Sequence, residues 1–129
     1  MTTSPPELPA STRLAVDRTR LAHERTLMAW VRTAASMISF GFTIYKGLQY
    51  LRDNARTPPP QHVIGPREFC MGLIALGIVS LALASLEHRR SMEALRREYG
   101  QFPPSVAAVV AFILSGLGIL GLISVAFGL

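Results

Sequence analysis

Arg18, Arg25, Arg32, Ser39 and Lys46 recur at a seven-residue interval along a segment, residues 13–50, that contains no proline. Seven residues fall about 20° short of two helical turns, so a gently supercoiled helix carries all of them on one stripe. A charge near the centre of a bilayer costs at least roughly 2.5–3.5 kcal/mol, and such residues ordinarily face a bundle interior, a partner or a watery cavity. One reading therefore places the stripe on the shared axis of an oligomer. Rings of Arg or Lys there would draw anions inward. The other reading is interfacial anchoring. Arg25 then lies outside the apolar stretch, while Arg32 and Lys46 snorkel from its two ends, with Trp30 and Tyr45 as belt aromatics. Spacing alone leaves both open. Glu24 likewise has two readings, as the orienting partner of an arginine or as a solvated partner of Arg20 one turn earlier.

A second basic group follows a long apolar run: Arg89, Arg90, Arg96 and Arg97. Guanidinium matches phosphate bidentately, so these arginines suit a vestibule for phosphate-rich ligands. The same residues suit charge-biased topology and contact with anionic lipid. His23, His62 and His88 are scattered without metal-ligand spacing, and Cys70 is the single cysteine. Neither a glycine-rich phosphate loop nor a nucleophile motif is present. The sequence thus predicts no enzyme, no metal and no cofactor.

The elements that position these residues follow from composition. Half of the 129 residues are hydrophobic and 16% are charged, with a mean hydropathy of +0.34. Residues 69–86 and 105–129 carry no charged side chain, and each run is long enough to propose a membrane span. This argues against a disordered chain and against a soluble domain. The formal charge of +5 would suggest nucleic acid in a soluble protein. In a membrane protein it fits topology and lipid contact instead, and no nucleic-acid partner is expected.

The expected architecture is an all-α integral membrane protein with three transmembrane helices. Residues 1–12 form a flexible, proline-rich tail without signal-peptide character, and residues 13–129 form the membrane domain. Ser11 and Thr12 offer N-caps for a long first helix. Its charged start, with pairs Arg13–Asp17, Asp17–Arg20 and Arg20–Glu24 at helical spacing, extends into the cytoplasm. Spans are placed at about 27–51, 69–87 and 105–128, the first rising roughly 37 Å. Thr57-Pro58-Pro59-Pro60 breaks the chain between the first two spans, and Gly100 with Pro103-Pro104 ends the charged extension of the second. Small residues in the third span (Ala107, Ala111 and Ser115; Ser124 and Gly128; Gly116, Gly118 and Gly121) suggest close helix packing, within or between chains. The balance of Arg and Lys places the N-terminus and second loop in the cytoplasm and the C-terminus outside, in an inner membrane.

The run Leu21-Ala22-His23-Glu24-Arg25-Thr26-Leu27-Met28-Ala29-Trp30-Val31-Arg32-Thr33 resembles the signature of the YidH-type membrane proteins of unknown function, L-A-N-E-R-T-F-L-A-W-[IL]-R-T. His23 stands where the pattern has Asn, and Leu27-Met28 where it has Phe-Leu. The same domain forms the membrane part of the eukaryotic vacuolar transporter chaperone complex, which makes and translocates polyphosphate. The resemblance implies three helices per subunit and subunits arranged around a path lined by basic residues. It implies anion-binding roles for Arg18, Arg25 and Arg90, with Arg89 as the alternative to Arg90, and a supporting role for Glu24. Arg32 belongs to the bacterial-type pattern.

The expectation is a homo-oligomer in membrane lipid with an Arg-lined axis, Arg18, Arg25, Arg32 and Arg90 meeting a phosphate- or polyphosphate-like anion. The alternative is a non-catalytic assembly subunit for another membrane protein, docking through its small-residue faces. A third reading is a lipid-binding modulator that uses Arg96 and Arg97.

Overall fold

The computed structural model describes residues 7–55, 65–100 and 103–129. The start of the N-terminal tail, the proline run at 58–60, Arg56 and His62 lie outside the described residues. The described chain is α1 (Ala10–Asn54), α2 (Pro66–Tyr99) and α3 (Val106–Phe127), with no strand among the described residues. All three are long and apolar enough to cross a membrane, so the chain is a multi-pass membrane protein.

The helix ends follow local chemistry. α1 begins at Ala10, earlier than the expected start near Ser11–Thr12, and neither of those hydroxyls caps it. Pro9 is the N-cap residue, and its carbonyl accepts from Arg13 N–H at 3.1 Å. Proline's restricted φ suits that entry into the helix. α2 starts with Pro66 at its first position, where a missing N–H costs nothing. It stops at Gly100, whose φ of 96° favours glycine. Ser105 caps α3, its side chain accepting from Ala108 N–H at 3.4 Å. Gly128 closes α3 in the left-handed conformation, φ 69°; it is a C-cap, whereas the sequence suggested a packing residue.

α3 has 22 residues, a rise of about 33 Å, which matches the hydrocarbon thickness by itself. α1 has 45 residues and α2 has 34. Both overrun that thickness: α1 passes the end of α3, which Lys46 meets, by the residues up to Asn54, and both α1 and α2 extend at the opposite end. This is the basic end, where α1 and α3 begin and α2 finishes.

A heptad seam holds α1 to α2. The buried residues of α2 are Cys70, Ile74, Gly77, Leu81, Ala84 and His88, alternating steps of four and three as coiled-coil packing requires. α1 answers with Leu27, Val31, Ala34, Ile38 and Gly41. Ala107, Ala111, Gly118 and Val125 of α3 close the bundle. Near the basic end Leu27, Val31, Ala34, Leu81, Ala84, Ala107 and Ala111 form one cluster. Towards the other end Ile38, Ile74 and Val125 form a second. The small residues Ala107, Ala111 and Gly118 are therefore used within the chain.

Glycine sets the spacing. A Cβ on Gly41 would lie 2.8 Å from Ile74 Cγ1 and 3.1 Å from the Cys70 carbonyl oxygen; one on Gly77 would lie 3.0 Å from Ile38 Cγ1 and 3.2 Å from the Ala34 oxygen. Gly116 has open space around it. Gly41→Ala and Gly77→Ala should each destabilise the protein by about 1–3 kcal/mol through overpacking. Gly116→Ala should be neutral or slightly stabilising. Thermal unfolding of the three variants in detergent checks this; equal melting temperatures would contradict the close seam.

Candidate functional site

The stripe that the sequence singled out lies on the side of α1 away from the seam. Arg25 and Arg32 sit two positions before and five positions after buried Leu27, about 160° and 140° around the helix from it. Arg18, Arg25, Arg32 and Ser39 are exposed. The seam itself repeats every seven residues, so the stripe keeps a constant bearing relative to it along the bundle.

The neighbours of the stripe complete an unusual face. Between residues 29 and 43 the same side of α1 exposes Ala29, Thr33, Ser36, Ser39 and Thr43, with Phe40 the one large apolar side chain among them. The hydroxyls of Thr26, Thr33 and Ser36 bond back to the carbonyls of Ala22, Ala29 and Arg32 at 3.0–3.1 Å. This local pairing satisfies them without a partner helix. The outward sides of the other helices differ: α2 shows Phe69, Leu76, Val79, Leu83 and Leu86, and α3 shows Phe112, Ile113, Leu117 and Leu120. Those are surfaces for lipid tails. Along residues 29–43 the stripe side of α1 presents mostly small and polar side chains and arginine beside Phe40, with Met28 and Trp30 exposed on its flanks.

Lys46, the last member of the stripe, is engaged within the chain. It is half-buried, donates to the backbone oxygen of Leu129 and to Gln49 Oε1, and lies 5.9 Å from the ring centroids of Phe42 and Tyr45. Arg67 donates to the Ala126 carbonyl. Two cations of the non-basic end thus meet the C-terminal end of α3, where unpaired carbonyls and the helix dipole favour positive charge.

Glu24 pairs with Arg20 at 3.8 Å and faces His88; within the chain it does not hold Arg25. The Arg20–Glu24 pair is one of the three charge pairs expected on α1. Arg90 is exposed, two positions past buried His88, and so on the far side of α2 from the seam. Among the described residues no polar contact joins it to Arg18, Arg25 or Arg32.

His88 is the residue that sequence reading missed. Only 6% exposed, it is the buried polar side chain of the described core, and neither ring nitrogen makes a hydrogen bond of good geometry, although the His23 backbone approaches the ring. It stands where the three helices meet at the basic end. Its ring lines a cavity of about 170 Å³ with Leu27, Ser85, Arg89 and Ser115, and a wider cleft of about 690 Å³ between α2 and α3 with Arg89, Arg96 and Ser105. His88 continues the series 70, 74, 77, 81, 84 by one further step of four; that spacing was the signal that could have placed it inside. It lies just beyond the uncharged run, on the charged extension of α2. Burial pushes its pKa below the usual imidazole value; from α1, Glu24 opposes that shift, the charge of His23 reinforces it, and the His23 backbone beside the ring opposes it. α3 contributes no charged side chain.

A family model described as a domain of unknown function, DUF202, matches residues 18–94. The match runs from the first arginine of the stripe through the seam and past His88, and leaves out α3. No curated protein and no solved structure matches the chain.

Two outcomes follow for His88. Leaving a buried polar group unpaired costs roughly 1–3 kcal/mol, so His88→Leu, close in volume, should raise the melting temperature in detergent. The advantage should grow with acidity. A folded-state pKa below the unfolded one means the unfolded chain binds the proton more readily. Wild-type stability is then complete above about pH 6.5 and falls as pH drops through the lower folded value. Melting curves of both proteins from pH 8 to about pH 5 test this; a constant gap would contradict a neutral, buried imidazole.

Proposed function

The chain belongs to the DUF202 family, and from that premise we propose that it is a non-catalytic membrane subunit that assembles with copies of itself around α1. The resulting axis is lined by Arg18, Arg25 and Arg32 and binds or passes phosphate-rich anions such as polyphosphate. The observation that carries this reading is the outer face of α1. Its small residues permit close helix approach, and its arginines are costly against lipid tails. A ring of copies would cover that face and concentrate guanidinium groups where a low-dielectric wall strengthens their attraction for anions. Arg90 belongs to the mouth of such a path. Glu24, held by Arg20, sets the local charge beside Arg25 without neutralising it. The basic end faces the cytoplasm of an inner membrane, in keeping with the Lys and Arg bias; Lys46 and Arg67, which are engaged with the end of α3, weigh less against that bias than a simple count suggests.

A second reading has the same face of α1 seated on a different membrane protein. The burial of Ala107 and Ala111 inside the chain favours α1 over α3 as the docking face in that case too.

Single-particle imaging in a lipid disc should show several copies with Arg25 and Arg32 towards a central axis. Arg25→Glu should weaken polyphosphate binding at least about tenfold. Unchanged binding by the reversed charge, or a monomer with α1 against lipid, removes the axial reading. Retained assembly with a second protein and no anion binding would favour the other. Orientation is checked by labelling cysteine introduced at Ser91 or His62 in intact cells. Protection at Ser91 with labelling at His62 is expected.

A further inference from the structure

We propose that the cleft between α2 and α3 at the basic end binds the phosphate headgroup of an anionic lipid. In this site Arg89 and Arg96 grip the phosphate, His88 donates a ring N–H from the floor, and the wall of Val109 and Phe112 seats the first part of the acyl chain. The site is separate from the stripe on α1 and does not rest on it.

Four observations on this cleft converge. Its volume is about 690 Å³, within the range of small-ligand sites. Its charge is uneven: Arg89 and Arg96 line it together with one acid, Glu93. Glu93 is already paired with Arg97 at 2.8 Å, and among the described residues neither Arg89 nor Arg96 has a carboxylate at salt-bridge distance. His88 lines the cleft, is 94% buried by its 6% exposure, and has no well-formed hydrogen bond at either nitrogen, the approach of the His23 backbone aside. A neutral imidazole has one donor and one acceptor to satisfy, and a phosphate oxygen suits the donor. Lastly, Pro104 and Ser105 bring the start of α3 to the rim, where the helix dipole favours an anion.

The apolar wall selects a lipid over a free anion. Phe112 is 76% exposed and Val109 53% exposed, and their side of α3 continues as the lipid-facing surface of Ile113 and Leu117. The cleft lies where α2 passes from its uncharged run to its charged extension and where α3 begins. That level is the headgroup boundary, so a phosphate in the cleft would have its chains alongside Phe112. A soluble phosphate would leave that wall unused.

Native mass spectrometry of the full-length protein in neutral detergent, offered equal phosphatidylglycerol and phosphatidylcholine, tests the site. Wild type should retain phosphatidylglycerol selectively. Arg89→Gln and Arg96→Gln should each weaken retention about fivefold, while Arg97→Gln, whose guanidinium is paired with Glu93, should change it by less than about twofold. Val109→Trp should also reduce retention, since it fills the cleft without altering charge. His88→Leu should reduce it while keeping the bundle folded, as helical circular dichroism would show. Millimolar inorganic phosphate should leave the bound lipid in place. Equal losses in all three arginine variants would mean diffuse surface attraction and overturn the proposal. So would retention of both lipids alike, indifference to Val109→Trp, or displacement by inorganic phosphate, which would make the occupant a soluble anion.

Discussion

Ile38 occupies space that two glycines leave open. Its Cγ1 lies 3.0 Å from where a Cβ on Gly77 would stand, and its Cδ1 lies 2.9 Å from where a Cβ on Gly118 would stand. One side chain of α1 therefore fixes the separation and register of both other helices. In a membrane there is little hydrophobic drive between helices, so such packing must supply the association that water supplies elsewhere. Gly41 against Ile74 repeats the device one turn further along. Everything else in the bundle is referenced to these contacts: which residues of α1 turn inward, which remain outside, and how closely the helix ends converge.

The seam's seven-residue period has a second effect. A helix wound to keep a heptad facing its partner keeps every other heptad position at a constant bearing as well. The arginines of α1 share that period, so they form a continuous outer line instead of a spiral. The same geometry gathers Ala29, Ser36 and Thr43 beside them. A helix whose back is this small and this polar does not resemble its two neighbours, whose outward sides are Leu, Ile, Val and Phe. The proposed oligomer axis rests on that difference.

The two ends of the bundle solve opposite electrostatic problems. At one end, Lys46 and Arg67 bond to backbone oxygens at the finish of α3, so positive charge is matched by helix carbonyls. At the other, α2 carries Arg89, Arg90, Arg96 and Arg97 past the end of its apolar run, and one carboxylate, Glu93, is matched to Arg97. A buried histidine without a well-formed hydrogen bond sits beneath. Unsatisfied polar groups in a packed core reduce stability, and a fold that keeps one on the floor of a basic cleft has the composition of a binding site.

Much of this protein is determined by its sequence alone. Long uncharged runs must cross a membrane because their backbone and side chains have no better solvent. Prolines and Gly100 must stop helices because one removes a donor and the other tolerates positive φ. The signature around Glu24-Arg25-Thr26 indicates the family, and the arginine period is visible in one dimension. Which side of α1 faces inward was not visible, because that depends on where Gly77 and Gly118 leave room for Ile38. Lys46 looked like the last member of the stripe until the end of α3 was brought beside it. Small residues of α3 could have faced another chain, and the packing of Ala107 and Ala111 against Leu27 and Leu81 decided otherwise. His88 read as one of three scattered histidines. Only the meeting of three helices made it a buried group without a well-formed hydrogen bond, because burial is a property of neighbours in space and a single strand of sequence does not contain them.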